Sequence, residues 1–154
     1  MPPPRTGDEA VDLLLAAAHR VRTAVDEALR ASVGLTLPRF KVLVALAESG
    51  PCRLRDLADA VAVAPRTLTE TVDGLEFYGL VARRSHPTDR RAVLLTLTQA
   101  GQEVLTEGRR RQADSVATIT WRLSSGQRAQ LVHLLSLVTS DVTHSDEADP
   151  ALPG

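Results

Sequence analysis

Apolar residues recur at steps of three and four over most of the chain, and at steps of two over one short stretch. From Asp8 to about Ser32 the positions Val11, Leu14, Leu15, Ala18, Val21, Val25 and Leu29 form one stripe, which predicts a helix ended by Gly34. A second helix is expected over Leu37–Glu48, with Pro38 in its first turn, Gly50-Pro51 after it, and Phe40, Leu43, Val44 and Ala47 inward. A short third helix spans Leu54–Val61, with Leu57, Ala58 and Val61 inward. The fourth spans Pro65–Tyr78, with Leu68, Val72 and Leu75 as its core stripe and Gly79 as its stop. Its opposite face carries Arg66, Thr67, Thr69, Glu70 and Asp73.

After Gly79 the period changes. Leu80–Ser85 and Ala92–Leu97 alternate as the two strands of a hairpin, joined by His86-Pro-Thr-Asp-Arg-Arg91. Thr98 caps a long fifth helix that runs to about Leu123. Ser124 and Gln127 form the capping box of a sixth, whose stripe is Leu131, Leu134, Leu135 and Val138. Two short helices followed by a hairpin make a winged helix-turn-helix. The expected fold is mainly α with a small β-hairpin. Residues 35–97 are the winged helix-turn-helix, and 8–34 with 98–142 are dimerisation helices. Residues 1–7 and the acidic 143–154 are disordered tails.

The dimer follows from area. The fifth helix would be roughly 35–40 Å long, too long to bury itself against so small a winged unit. A two-fold pairing of terminal helices solves this, and it spaces two recognition helices to suit a pseudo-palindromic duplex.

Composition narrows the reading. Aromatics are 3% of 154 residues, so a core must come from Leu, Val and Ala. The formal net charge is −1, so any attraction to nucleic acid is local rather than global. The hairpin carries Arg83, Arg84, Arg90 and Arg91 against Asp89, while Asp141, Asp146, Glu147 and Asp149 make the C-terminal end acidic. Cys52 is the single cysteine, so no intramolecular disulfide can form. The absence of a membrane-length apolar run and of a signal segment makes the cytoplasm the expected location.

His19, His86, His133 and His144 show no metal-ligand spacing with Cys52 or with one another. The chain contains no nucleophile–base–orienter set and no phosphate-cradling glycine loop, so neither enzyme nor cofactor is expected. Cys52 reads as an ordinary half-buried thiol, and Trp121 as part of a dimer core.

The chain resembles the MarR family of bacterial transcription regulators. The resemblance rests on Leu35-Thr-Leu-Pro-Arg-Phe-Lys-Val-Leu43, Leu57-Ala58, the Val63–Glu76 helix and Tyr78-Gly-Leu-Val-Ala-Arg-Arg84. It continues through Pro87-Thr-Asp-Arg-Arg91 and Leu95-Thr-Leu-Thr-Gln-Ala-Gly101, and spans about residues 8–140. It implies a homodimeric, sequence-specific DNA-binding regulator, in first place a repressor, on a pseudo-palindromic operator and released by a small aromatic or anionic effector. Arg66, Thr67, Thr69 and Glu70 would face the major groove, where Arg can read guanine and Thr hydroxyls can meet phosphate or a thymine methyl. Arg90 would enter the minor groove, with Asp89 and Arg91 as a pair that shapes the loop. Arg55 and Arg84, with Arg53 and Arg83, are phosphate candidates. His19, Arg22, Arg39 and Phe40 would line an effector pocket. Two positions depart from the family pattern. Ala64 stands where Ser or Thr usually caps the recognition helix, and Glu70 where a basic residue is common. Glu70 and Gly74 keep open the alternative of a winged helix used for protein–protein contact.

Overall fold

The computed structural model describes residues 7–89 and 91–139. Residues 1–6 and 143–154 of the expected tails, Arg90 and His144 lie outside these residues, while Gly7, expected in the first tail, opens the first helix. The helices are α1 (Gly7–Val33), α2 (Leu37–Ser49), α3 (Leu54–Val61), α4 (Pro65–Phe77), α5 (Gln99–Thr120) and α6 (Ser125–Thr139). An antiparallel pair, β1 (Val81–Ser85) and β2 (Val93–Leu97), separates α4 from α5, with Val81 opposite Leu97 and Ser85 opposite Val93. The chain is mainly helical with one two-stranded hairpin, as the change of period predicts. It divides into two compact units, residues 1–119 and 120–154.

The core of the first unit is built around α2. Phe40, Val42, Leu43 and Leu46 are all buried, so this helix hides more than the single inner face expected of it, and Val44 is only half-buried. Leu57 and Ala58 of α3 and Leu68, Val72 and Leu75 of α4 join it, with Val81 and Leu95 from the strands. From α1 come Val25 and Leu29, and from α5 Leu105. The apolar stripe of α1 therefore divides. Val25 and Leu29 are buried, whereas Val11, Leu14 and Leu15 are exposed within the chain.

Two glycines let α5 approach. A Cβ on Gly108 would overlap the Phe40 ring, and one on Gly101 would overlap the backbone carbonyl of Leu80. Thr98 fixes the start of α5. Its hydroxyl oxygen accepts from the Gly101 amide (3.0 Å), and its hydroxyl donates to the Gly79 carbonyl (2.6 Å).

Three further joints bind the elements. Asp26 of α1 reaches across the chain and accepts from the Leu37 amide at 2.6 Å, so a side chain of one helix caps the next. That amide, and then the Arg30 guanidinium, hold the Asp26 carboxyl below the ordinary carboxylate range. Cys52 exchanges backbone hydrogen bonds with Leu95, a short bridge at the edge of the hairpin. Ala62 closes α3 in the left-handed region, at φ 52° and ψ 44°, and its amide turns back to the Ala58 and Asp59 carbonyls. An alanine pays a steric cost there that glycine avoids.

In the second unit, Ser124 and Gln127 form the expected reciprocal box. The Ser124 amide donates to Gln127 Oε1 (2.9 Å), and the Gln127 amide donates to Ser124 Oγ (3.3 Å). The turn before it begins after Thr120, three residues earlier than the expected end of the long helix. Leu131, Val132, Leu134, Leu137 and Val138 of α6 are exposed within the chain. Trp121 is 68% exposed and carries the Arg122 guanidinium over its ring at 5.2 Å.

Two outcomes follow. Gly108→Ala is expected to cost about 1–3 kcal/mol in urea unfolding, because the ring of Phe40 must give way. Gly126→Ala, with open space at its Cβ, is expected to be neutral or slightly stabilising. Equal effects at the two positions would contradict the tight α2–α5 crossing. The second outcome concerns acid. A carboxyl whose folded pKa is depressed contributes stability above its unfolded pKa, and that stability is lost as pH falls through the folded value. Asp26→Asn is therefore expected to be less stable than the parent at pH 7, with the gap closing as thermal melts are taken toward pH 3. A gap independent of pH would mean that Asp26 does not cap α2.

Candidate functional site

The outward face of α4 is open to solvent at Arg66, Thr67 and Glu70. Ala64 is the residue before the helix, and it supplies no side-chain cap. Pro65 has no amide, and the Leu68 amide already donates to the Ala64 carbonyl at 3.0 Å. The amides of Arg66 and Thr67 are thus left at an uncapped N-terminus, where the helix dipole favours an anion. The Arg66 side chain is 93% exposed and Glu70, one turn on, is 71% exposed, with Nε and Oε1 3.6 Å apart. So open a pair contributes a few tenths of a kcal/mol at most, about 0.3–0.5, and can be broken by a stronger partner.

The hydroxyls are partly spent. Thr69 is half-buried and donates to the Pro65 carbonyl at 2.8 Å, and Thr71 donates to Thr67 in the same way at 2.9 Å. Thr67 is exposed. Gly74 lies two turns after Arg66, and the space a side chain would occupy there is met by the Arg39 guanidinium, 3.4 Å from the would-be Cβ. Arg39 thus brings a cation from α2 to α4, a helix whose own single cation is Arg66.

Arg83 of β1 meets the later turns of this same α4 face. It donates to Asp73 Oδ1 at 2.6 Å and to Glu76, and these carboxylates hold its charge more firmly still. Arg83 is therefore committed to neutralising two acidic residues of α4. Arg84, next along the strand, projects to the opposite side and is exposed. Arg55, in the first turn of α3, is exposed beside Asp56 at 3.4 Å.

The loop between the strands is held from outside. Asp89 Oδ2 accepts from Arg53 Nη2 at 3.3 Å, and Oδ1 accepts from the Arg91 backbone amide at 3.1 Å. The ion-pair partner of Asp89 is thus Arg53, 36 residues earlier, while Arg91 contributes its backbone. The Arg91 side chain remains outside that pair, on an exposed residue. Arg90, the expected groove residue, lies outside the described residues.

The four expected effector-pocket residues are not gathered in one place. Phe40 is fully buried in the core, Arg39 lies over Gly74, and His19 is exposed on α1. Arg22 does line a cleft of about 880 Å³, together with Arg30, Lys41, Asp26 and Glu27 and an apolar floor from Val42, Val61 and Val63. Sequence reasoning missed this cleft because its walls come from α1, α2 and the end of α3. Among the described residues no group of three His, Cys, Asp or Glu side chains is placed to hold a metal ion. Cys52 is half-buried, and burial, then Asp56, pushes its thiol up, which favours the protonated form. Among the same residues, no helix is long and apolar enough to cross a membrane.

Known proteins resemble this chain in sequence and fold. The family model described as "MarR family" matches residues 35–93, the stretch from the start of α2 to the second strand. The HTH-type transcriptional repressor NicR of Pseudomonas putida is 30% identical over 135 residues, covering 86% of this chain and 85% of NicR. Sco3205, a MarR family transcriptional regulator from Streptomyces coelicolor solved in complex with DNA, superposes with a TM-score of 0.74 at 28% identity. That alignment covers 97% of this chain and 96% of Sco3205. BpsR of Bordetella bronchiseptica, whose structure concerns regulation of DNA binding by 6-hydroxynicotinic acid, superposes with a TM-score of 0.70 at 28% identity, over 84% of this chain and 98% of BpsR. With an uncapped recognition helix, a braced wing and relatives matched over most of their length, the chain belongs to the MarR family of DNA-binding transcription regulators.

Proposed function

We propose that this regulator is a homodimeric repressor that binds a pseudo-palindromic operator through α4 and the wing, and that a small anionic or aromatic effector releases it. The observation that carries the reading is the first turn of α4, where two outward amides, Arg66 and Thr67 stand uncapped beside an easily broken Arg66–Glu70 pair. Phosphate satisfies such amides, and the freed guanidinium can take a guanine edge in two hydrogen bonds. Thr69, Arg55, Arg84, Arg91 and Arg90 complete the proposed contact set, with Asp89 shaping the loop. Arg39 belongs with this face rather than with an effector, because its guanidinium covers Gly74 on α4.

Dimerisation is supported by apolar surface. Val11, Leu14 and Leu15 of α1 and Leu131, Leu134 and Val138 of α6 are exposed in the single chain, which is the expected sign of helices that meet a second copy. The domain roles read from the sequence, terminal helices for pairing and residues 35–97 for DNA, fit this surface. An effector is supported by the cleft at Arg22, Arg30 and Lys41, whose cations suit a carboxylate above an apolar floor. NicR bears a repressor's name, and BpsR is tied to a hydroxylated pyridine carboxylate. The cytoplasm is the compartment that such a role requires.

Selection from a random-sequence duplex pool, followed by footprinting on the DNA flanking its gene, tests the reading. The pool is expected to converge on an inverted repeat, with two protected half-sites about one helical turn apart. A pool that never enriches would overturn it. Glu70→Gln tests the helix face. With the carboxylate gone, binding to random DNA is expected to tighten and preference at one base pair to flatten by about 1–3 kcal/mol. Unchanged binding to both the selected and random duplexes would mean that this face does not approach DNA.

A further inference from the structure

The turn of the wing is folded around an imidazole. His86 Nδ1 lies 3.2 Å from the Thr88 amide nitrogen, 3.2 Å from the Asp89 amide nitrogen and 3.2 Å from Thr88 Oγ1. The two amides can only donate, so Nδ1 is placed as the acceptor of both. Around this centre the His86 amide donates to the Ala92 carbonyl at 3.0 Å, and the Ala92 amide to the Asp89 carbonyl at 2.9 Å. The ring thus does what an Asx side chain does in a tight turn. It sets the residue, Asp89, that Arg53 then holds.

We propose that His86 is a positioning residue of the wing: its neutral imidazole gathers the Thr88 and Asp89 amides, so that protonating the ring unfolds the turn and weakens DNA binding. The proposal rests on the reading of the wing as part of the DNA interface. Its sign follows from the acceptor. A protonated Nδ1 is a donor facing two donors, so both amide bonds are lost together. Histidine is the side chain that changes charge between pH 5 and 8. Among the described residues, the charged groups that belong to or reach this turn are Asp89 and Arg91 on the loop, Arg84 on β1 and Arg53 from the residue before α3. The one carboxylate among them, Asp89, accepts from Arg53 and from the Arg91 amide. The other described histidines, His19 and His133, are exposed on helices.

The test uses the full chain, a fluorescent duplex taken from the random-pool selection at pH 7.5, and constant ionic strength. Parent affinity is expected to fall roughly tenfold between pH 7.5 and 5.5, the scale of one or two net hydrogen bonds. His86→Asn, whose Oδ1 accepts over the whole range, is expected to bind like the parent at pH 7.5 and to keep that affinity at pH 5.5. His86→Ala is expected to bind weakly at both. A parallel fall in parent and His86→Asn, or full affinity in His86→Ala at pH 7.5, would overturn the proposal. Nitrogen-15 spectra of the free protein separate this from the DNA reading. Amide signals of Thr88 and Asp89 that move together with ring protonation support the turn even where no duplex binds, and signals that ignore it overturn the turn.

Discussion

The packing of Phe40 against Gly108 is the contact from which the first unit takes its geometry. It lets the Phe40 ring of α2 rest on the backbone of α5, and α2 in turn is buried at Val42, Leu43 and Leu46. Helices α3 and α4 fill the remaining sides of α2 through Leu57, Leu68 and Leu75. The outward face of α4 is therefore positioned by an apolar core that contains none of the residues proposed to meet DNA. Interiors are packed at crystal-like density, so such a core holds its surface features in fixed register.

Charged residues then set what the core cannot. Arg83 pins Asp73 and Glu76, Arg53 pins Asp89, and Asp26 caps α2. Each pair is at least partly exposed, so each is worth little as net stability. What they supply is orientation: the acidic later turns of the recognition helix are neutralised from within the protein, and the wing is tied to the residue before α3. The same division explains why Glu70 can remain opposite Arg66 on an open face, since a weak pair holds the free protein neutral there and yields to a duplex.

Elements whose signal is local were legible in the sequence. The four-and-three spacing of Leu68, Val72 and Leu75 places α4, and Ser124 with Gln127 marks the start of α6. The change to a period of two places the hairpin. What was not legible depends on partners far away in the chain. Val42 and Leu46 fall outside the inward set Phe40, Leu43, Val44 and Ala47 because a single stripe describes one buried side, whereas a central helix has several. The Asp26 cap spans 11 residues and the Arg53–Asp89 pair 36, and no periodicity reports either. His86 was read only for metal spacing, while its role as an acceptor depends on the backbone of the turn. Of the expected effector residues, Phe40 is core and Arg39 serves α4, because an aromatic and a cation near each other in sequence sit on different sides of a buried helix.

The apolar residues left outside the core carry the rest of the account. A helix such as α6, with Leu131, Leu134, Leu137 and Val138 exposed, gains its stability from packing rather than from propensity. In the proposed reading a second copy supplies that packing and, by the same symmetry, a second recognition helix. Sedimentation velocity of the full chain, alone and on a selected duplex, tests this most directly. The account predicts twice the 16.5 kDa chain mass in solution and two chains per duplex at all subsaturating ratios. A stable, folded single chain of 16.5 kDa that binds the duplex one to one would contradict it.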